Sequence, residues 1–345
     1  MDKEIKIQNE TLVSIPESTD PTQIKDFLVV KPANQWIDEA KRRPIPSMLF
    51  SELWHEGELC ILFSSTGLGK SVLAVQIGNS ISSGSRISGF KNETPAQTVL
   101  YFDFELSDKQ FEQRYSKKYG NHYLFDENFI RIELNPDADK PEKQTEEEYL
   151  INSIERCIDD TGTKILIFDN LTYLRSDTEK AKDALPLMKK LKTLKKKYDL
   201  SILALAHTPK RDASKPITKN DLSGSIMLMN FCDSSFAIGA STLDSNVRYI
   251  KQIKERFTEN LYGENNIIVC QIEKPGNFLQ FAHIGFGKES DYLRSISESE
   301  KQVIEEKVIQ LHREGKSYRE IGNELNISHM KAQRIIKSKD ETASF

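Results

Sequence analysis

The chain has 345 residues, 38% of them hydrophobic, enough to bury one large core with a small domain besides. Its formal charge of −4 excludes a protein that coats nucleic acid by bulk charge, so any such contact must come from local patches. No run approaches the ~20 apolar residues of a membrane span, and Cys60, Cys157, Cys232 and Cys270 lack metal-binding spacing.

The start MDKEIKIQNE is too polar for a signal peptide, and the expectation is a soluble, cytoplasmic protein with reduced thiols and no membrane partner. Residues 1–25 end in ESTDPTQ and have the composition of a disordered tail. Residues 26–50 hold the apolar run Phe27–Val30 and a helix predicted around Asn34–Arg42, stopped by Pro44 and Pro46; we expect a linker that makes subunit contacts. From residue 51, strand-like and helix-like segments alternate. The patterns predict strands at 59–64, 97–104, 128–134, 164–168 and 200–206, with helices at 69–83, 107–119, 146–160 and 186–198. Such alternation means βαβ crossovers on a mostly parallel sheet, an α/β fold. On helix 186–198, Leu187, Leu191, Leu194 and Tyr198 follow helical spacing, which leaves its lysines on a solvated face. Beyond residue 224, strands near 232–240, 246–254, 266–274 and 278–284 would extend the sheet as antiparallel hairpins, closing a core domain at 287. A linker, 288–298, precedes a helical tail, 299–338.

The segment ELCILFSSTGLGKS, Glu58–Ser71, carries the most chemistry. An apolar strand runs into a loop with two glycines, and a helix follows: the context of a phosphate-binding loop. Backbone groups of Ser65, Thr66, Gly67, Leu68 and Gly69 would curl around phosphates, aided by the helix N-terminus. Lys70 supplies a charge for the outer phosphates, and the Ser71 hydroxyl is a ligand for Mg²⁺. Ser64 stands where the first glycine usually sits, a position that opens the loop without binding phosphate.

Three strand ends fit a nucleotide hydrolase. In KILIFDN, Asp169 ends a buried strand and can hold Mg²⁺ through water. In VLYFDFELS, Glu105 stands where a carboxylate could polarise an attacking water; Asp103 shares its face, and spacing does not separate the two. In SILALAHTPKR, His207 could bond the terminal phosphate. The loop beyond carries Lys210, Arg211, Lys215 and Lys219 with Pro and Ser, and is expected to be flexible and basic.

SSTGLGKS, FDFELS, IFDN and LALAHTPKR, in this order, resemble the RecA-like ATPase domain of the RepA and DnaB group of ring helicases. The small RepA-like ATPases of plasmids and other mobile elements are the nearer likeness, over residues 45 to 285. The resemblance implies a RecA-like P-loop core that uses ATP and Mg²⁺, assembles as a homo-oligomeric, hexameric ring and passes single-stranded DNA through its pore. Within it, IKQIKERFTENLYG resembles the finger strand of those helicases, so that Lys254 and Arg256 would reach the neighbouring subunit's nucleotide.

In the tail, Ser317 and Glu320 form a capping box, Gly322 is small where helices must approach, and Asn326 sits at the turn. Ser328 would cap a third helix with Ala332 and Ile335 facing inward. The pattern resembles a helix-turn-helix of the resolvase or sigma-factor kind. His329, Met330, Gln333 and Arg334 would then face the bases of duplex DNA, with Lys331 and Lys337 near phosphates. Two readings follow: an ATP-driven DNA motor of a mobile element, or a DNA-bound ATPase switch that recruits partners or regulates transcription without unwinding.

Overall fold

The computed structural model describes residues 28–139, 141–171, 184–209, 211–222, 225–242, 244–294, 298–325, 327, 329, 332, 333, 335 and 336. The predicted tail 1–25 lies outside them, as do Asn326, Ser328 and Met330. The chain divides into two compact units, 1–45 and 46–345. In the first, helix α1 (Ala33–Lys41) has no buried residue, and Lys31 bridges to Glu39 at 2.7 Å.

The second unit is built on a nine-stranded sheet. Its strands are β3 (Leu59–Ser64), β4 (Val99–Asp103), β7 (Phe129–Ile132), β8 (Ile165–Asp169), β9 (Ser201–His207), β10 (Ser234–Ala240), β11 (Val247–Lys254), β12 (Ile267–Glu273) and β13 (Gln280–Gly287). Their order is β13-β12-β11-β10-β3-β9-β8-β4-β7. All pairings from β10 to β7 are parallel, and those from β10 to β13 are antiparallel. This is the expected architecture, with one difference. Strand β10 joins β3 in parallel because helix α6 (Ser225–Phe231), which the sequence pattern did not suggest, supplies a crossover.

Strands buried on both faces read as continuous apolar runs rather than alternating ones, and β3 is one: all its residues are buried. Leu59, Ile61 and Phe63 join a cluster with Ile154 and Ile158 of α4 (Glu146–Thr161) and Leu187 and Leu191 of α5 (Ala184–Tyr198). Cys60 and Leu62 face the opposite cluster, with Val72, Leu73 and Ile77 of α2 (Lys70–Ser83). A short hairpin, β1 (Met48–Phe50) with β2 (Trp54–His55), covers that side through Leu49, Phe50 and Trp54. Helix α3 (Asp108–Arg114) is shorter than predicted, because the chain turns at once into a second hairpin, β5 (Ser116–Lys117) with β6 (Asn121–His122).

The stretch expected as a linker begins inside the core. Glu289 is 1% exposed; it pairs with Lys251, accepts from the Tyr249 hydroxyl at 3.0 Å and accepts the Ile217 N–H at 2.7 Å. Lys251 also donates to the Ile217 carbonyl at 2.8 Å. In the tail, α7 (Glu298–Arg313) and α8 (Tyr318–Leu325) pack through Val308, Leu311 and Ile321 with Ala332 and Ile336. Ile335, expected inside, is half-buried, and Ile336 fills the centre instead. A Cβ on Gly322 would lie 2.9 Å from the Ile327 carbonyl oxygen, which accounts for glycine there.

Burial pushes the Glu255 carboxyl up to about 8, and nearby Glu58 adds to the rise. A raised folded pKa means that the neutral acid favours the fold at low pH and that this contribution is lost as pH rises through about 8. Glu255→Gln should therefore melt well above the parent near about pH 9 and close to it near about pH 5. Thermal unfolding at the two pH values checks this.

Candidate nucleotide-binding and active site

Strand β3 delivers the chain to the phosphate loop at the C-terminal edge of the sheet. Gly67 has φ +79° and Gly69 φ +96°, a left-handed region in which side chains are strained. At Gly69 space is short as well: a Cβ would lie 2.9 Å from Phe281 and 3.1 Å from Ile272. Ser64 does not adopt the left-handed conformation, so a serine costs nothing there. Its hydroxyl donates to the Ser65 carbonyl at 2.9 Å, and its own carbonyl accepts from Lys70 at 3.1 Å. Ser65 and Thr208 hydroxyls bond at 2.8 Å, and Leu68 packs against the apolar cluster on the α2 side. Helix α2 starts at Lys70 without a capping side chain, leaving its first N–H groups for an anion.

The strand tips converge on this loop. Lys70 Nζ lies 3.2 Å from His207 Nδ1, and Thr66 Oγ1 lies 3.4 Å from the same nitrogen. His207 Nε2 faces Glu105 Oε1 at 3.3 Å, and Asn170 donates to that same oxygen. Asn170 Nδ2 also lies 3.1 Å from His207 Nε2. The hydrogen bond from His207 leads in holding Glu105 below the usual carboxylate range, against burial, with Lys70 assisting. Burial lowers Lys70 below the ordinary lysine value, while Asp169 and Glu105 pull it back.

Asp169 is fully buried beside the loop. Its Oδ2 accepts from the Tyr101 hydroxyl at 2.6 Å, whereas Oδ1 has no close hydrogen-bond partner. Burial pushes its carboxyl up to about 6, and the Tyr101 and Ser71 hydroxyls pull the other way. A buried carboxylate oxygen left open next to a serine hydroxyl fits Mg²⁺, which keeps several waters and takes phosphate oxygens for its remaining ligands. Among the described residues no cluster of three or more His, Cys, Asp or Glu could form a protein-only metal cage, as such a site does not require one. Asp103, the competitor of Glu105, is buried and ion-paired to Arg131 at 2.9 Å, so it is not free to face an incoming water.

Other predicted residues lie elsewhere. Lys254 donates to the carbonyls of Met229 and Cys232 and so closes the C-terminal end of α6; Arg256 bonds the Asn230 carbonyl at 3.1 Å and Asp233 at 3.4 Å. Asp233 N–H bonds the Leu59 carbonyl at the start of β3. Lys254 stands level with Ile61, three residues before Ser64 and so ~10 Å short of the phosphate loop along the strand at ~3.3 Å per residue, and Arg256 lies beyond it. The basic loop after β9 carries local ion pairs among its described residues. Arg211 pairs with Asp221 and Lys215 with Asp212, Ile217 is buried, and Lys219 is exposed. In the tail His329 is exposed and Gln333 half-buried. Lys210, Lys331, Arg334 and Lys337 lie outside the described residues. The sequence reading gave no role to Asn170, Tyr101 or Arg131. For Asn170 a signal existed: a second polar residue directly follows the strand-end Asp169.

Comparison with protein families matches residues 24–213, more than half of the chain, to the AAA domain. The chain belongs to the AAA domain family. The geometry above is thus that of a P-loop ATPase site in a member of this family. Among solved structures, a KaiC-like protein of the hyperthermophilic archaeon Pyrococcus horikoshii OT3 is 15% identical, with a TM-score of 0.43 over 66% of this chain and 90% of that one. No curated protein matches the chain. No helix among the described residues is long and apolar enough to cross a membrane.

Because Ser64 needs no left-handed backbone, restoring the customary glycine should bring no gain in turnover. Ser64→Gly should instead lose ~0.5–1 kcal/mol of stability through backbone entropy. Urea unfolding, set beside steady-state ATPase rates, measures both.

Proposed function

We propose that the protein is an ATP-hydrolysing, ring-forming DNA motor serving replication or mobilisation of an extrachromosomal or integrated element. The observation that carries the catalytic half is the contact chain Lys70–His207–Glu105–Asn170, which joins the phosphate loop to three strand tips. Glu105 orients the attacking water and takes its proton; its depressed pKa keeps it ionised at neutral pH. Lys70 neutralises the outer phosphates, and His207, touching both Lys70 and Glu105, registers loss of the terminal phosphate. Ser71 and Asp169 would hold Mg²⁺, which would supply charge neutralisation to the phosphates.

Lys254 and Arg256 support the ring. They lie away from their own phosphate loop, and although both are engaged at the end of α6 in the single chain, Arg256 is exposed and could turn to a neighbouring subunit's nucleotide. The tail supports a duplex contact: Lys316 to Lys339 carries six basic residues against two acidic ones. The same tail favours a second reading, a DNA-bound ATPase switch, since a ring motor seldom needs to read base edges.

Glu105→Gln should retain ATP binding and lose ~10²–10⁴-fold in turnover. Arg256→Ala should be equally inactive, as a finger arginine is worth roughly 10³–10⁵, and mixing the two inactive proteins should restore ATPase through mixed interfaces. Sedimentation with ATP and DNA, and unwinding of a forked duplex, separate the readings: a normally active Arg256→Ala that stays monomeric leaves the switch.

Deleting residues 299–345 should remove preference for a duplex site while basal ATPase persists. A competition binding assay that still shows the same site chosen rejects the tail as the reader.

A further inference from the structure

Glu105 lies beyond the end of β4, on a turn with no strand partner, and its side chain is 36% exposed. A base must nevertheless be held to within ~0.5 Å of its productive position. Two side chains outside the contact chain fix that turn. Asp103, whose side chain is fully buried, accepts the Glu105 N–H at 3.2 Å and the Leu106 N–H at 3.0 Å through Oδ1. Its Oδ2 accepts from Arg131 Nε at 2.9 Å. Arg131 comes from the neighbouring strand β7, where it pairs in register with Tyr101. It also donates to the Leu106 carbonyl at 2.7 Å and to Asp108 at 2.8 Å, with its guanidinium 4.7 Å from the Phe111 ring centre. Both backbone groups of Leu106, and the N–H of Glu105 itself, are therefore held by one ion pair, with Asp103 buried and Arg131 half-buried.

The pair is not needed to start the helix that follows. Ser107 and Gln110 already form a capping box on α3. Nor is Asp103 well placed to act alone, because a buried carboxylate stripped of Arg131 would stand beside Asp169, its register partner.

We propose that Asp103 and Arg131 are a positioning pair that aims the Glu105 carboxylate through its backbone. The proposal rests on Glu105 being the catalytic base. Steady-state ATPase of Arg131→Met, Arg131→Lys, Asp103→Asn and Glu105→Gln, with Arg131→Met/Glu105→Gln, tests it, alongside direct binding of a fluorescent ATP analogue. Arg131→Met should lower kcat up to ~10²-fold, the cost of a base displaced by about 1 Å, with analogue affinity near that of the parent. Arg131→Lys should recover part of the loss, since it restores charge to Asp103 without the fork that reaches Leu106. Asp103→Asn keeps an acceptor for both N–H groups and should fall between the parent and Glu105→Gln. The double variant should be no slower than Glu105→Gln alone, because the pair acts only through Glu105.

Parental kcat in Arg131→Met beside an inactive Glu105→Gln overturns the proposal. So do additive losses in the double variant, or Asp103→Asn as inactive as Glu105→Gln, which would make Asp103 the base. Loss of analogue binding in both Arg131→Met and Asp103→Asn also overturns it, as that marks a purely structural pair. An active Glu105→Gln removes the base assignment itself, a different failure.

Discussion

Register between adjacent parallel strands is the constraint on which the site depends. Ser64 stands opposite His207, and Asp103 opposite Asp169. Because β3, β9, β8 and β4 run the same way, their polar last residues reach one sheet edge at one level. A slip by a single residue would turn each of these side chains to the other face. The two apolar clusters prevent that slip, since alternate residues of β3 feed opposite layers. Hydrophobic burial, far from any charged atom, is what sets distances between charged ones.

Charge is the second constraint. Asp103, Glu105 and Asp169 crowd one edge, and burial makes each costly to ionise unless a cation answers it. Arg131 answers Asp103, and Lys70 acts on both others. Asp169 stays raised, to about 6, because the Tyr101 and Ser71 hydroxyls only partly offset its burial, to which the neighbouring Glu105 and Asp103 carboxylates add. The site as folded thus holds more negative charge than its own cations balance, which suits it to a metal cofactor and sets it against a free anion until that metal arrives.

Much of this was legible in the sequence, and the limits are instructive. Continuous apolar runs ending in polar residues marked β3, β8 and β9 to within a residue, because strands buried on both faces admit little else. The choice between Asp103 and Glu105 was not legible. It turns on Arg131, which lies on a strand that carries no motif and comes into register only in three dimensions. Helix α6 escaped because its seven residues, SIMLMNF, are mostly apolar and too few to show an amphipathic period. The loop after β9 read as flexible because its partners, Glu289 and Lys251, are more than thirty residues away, and composition does not report such pairings.

The knot of Lys251, Glu289 and Ile217 fixes where the ATPase unit ends as a folding entity. Three segments meet there: the loop after β9, strand β11 and the chain just past β13. Cutting the chain after the last sheet residue, Gly287, would strand Lys251 in a buried position without its carboxylate, a loss of about 3–5 kcal/mol for a broken buried pair. That is a large part of the margin of an ordinary domain. Ending it past Glu289 keeps the pair whole. A truncation that removes the helical appendage and leaves the sheet whole has to cut on the appendage's side of that carboxylate.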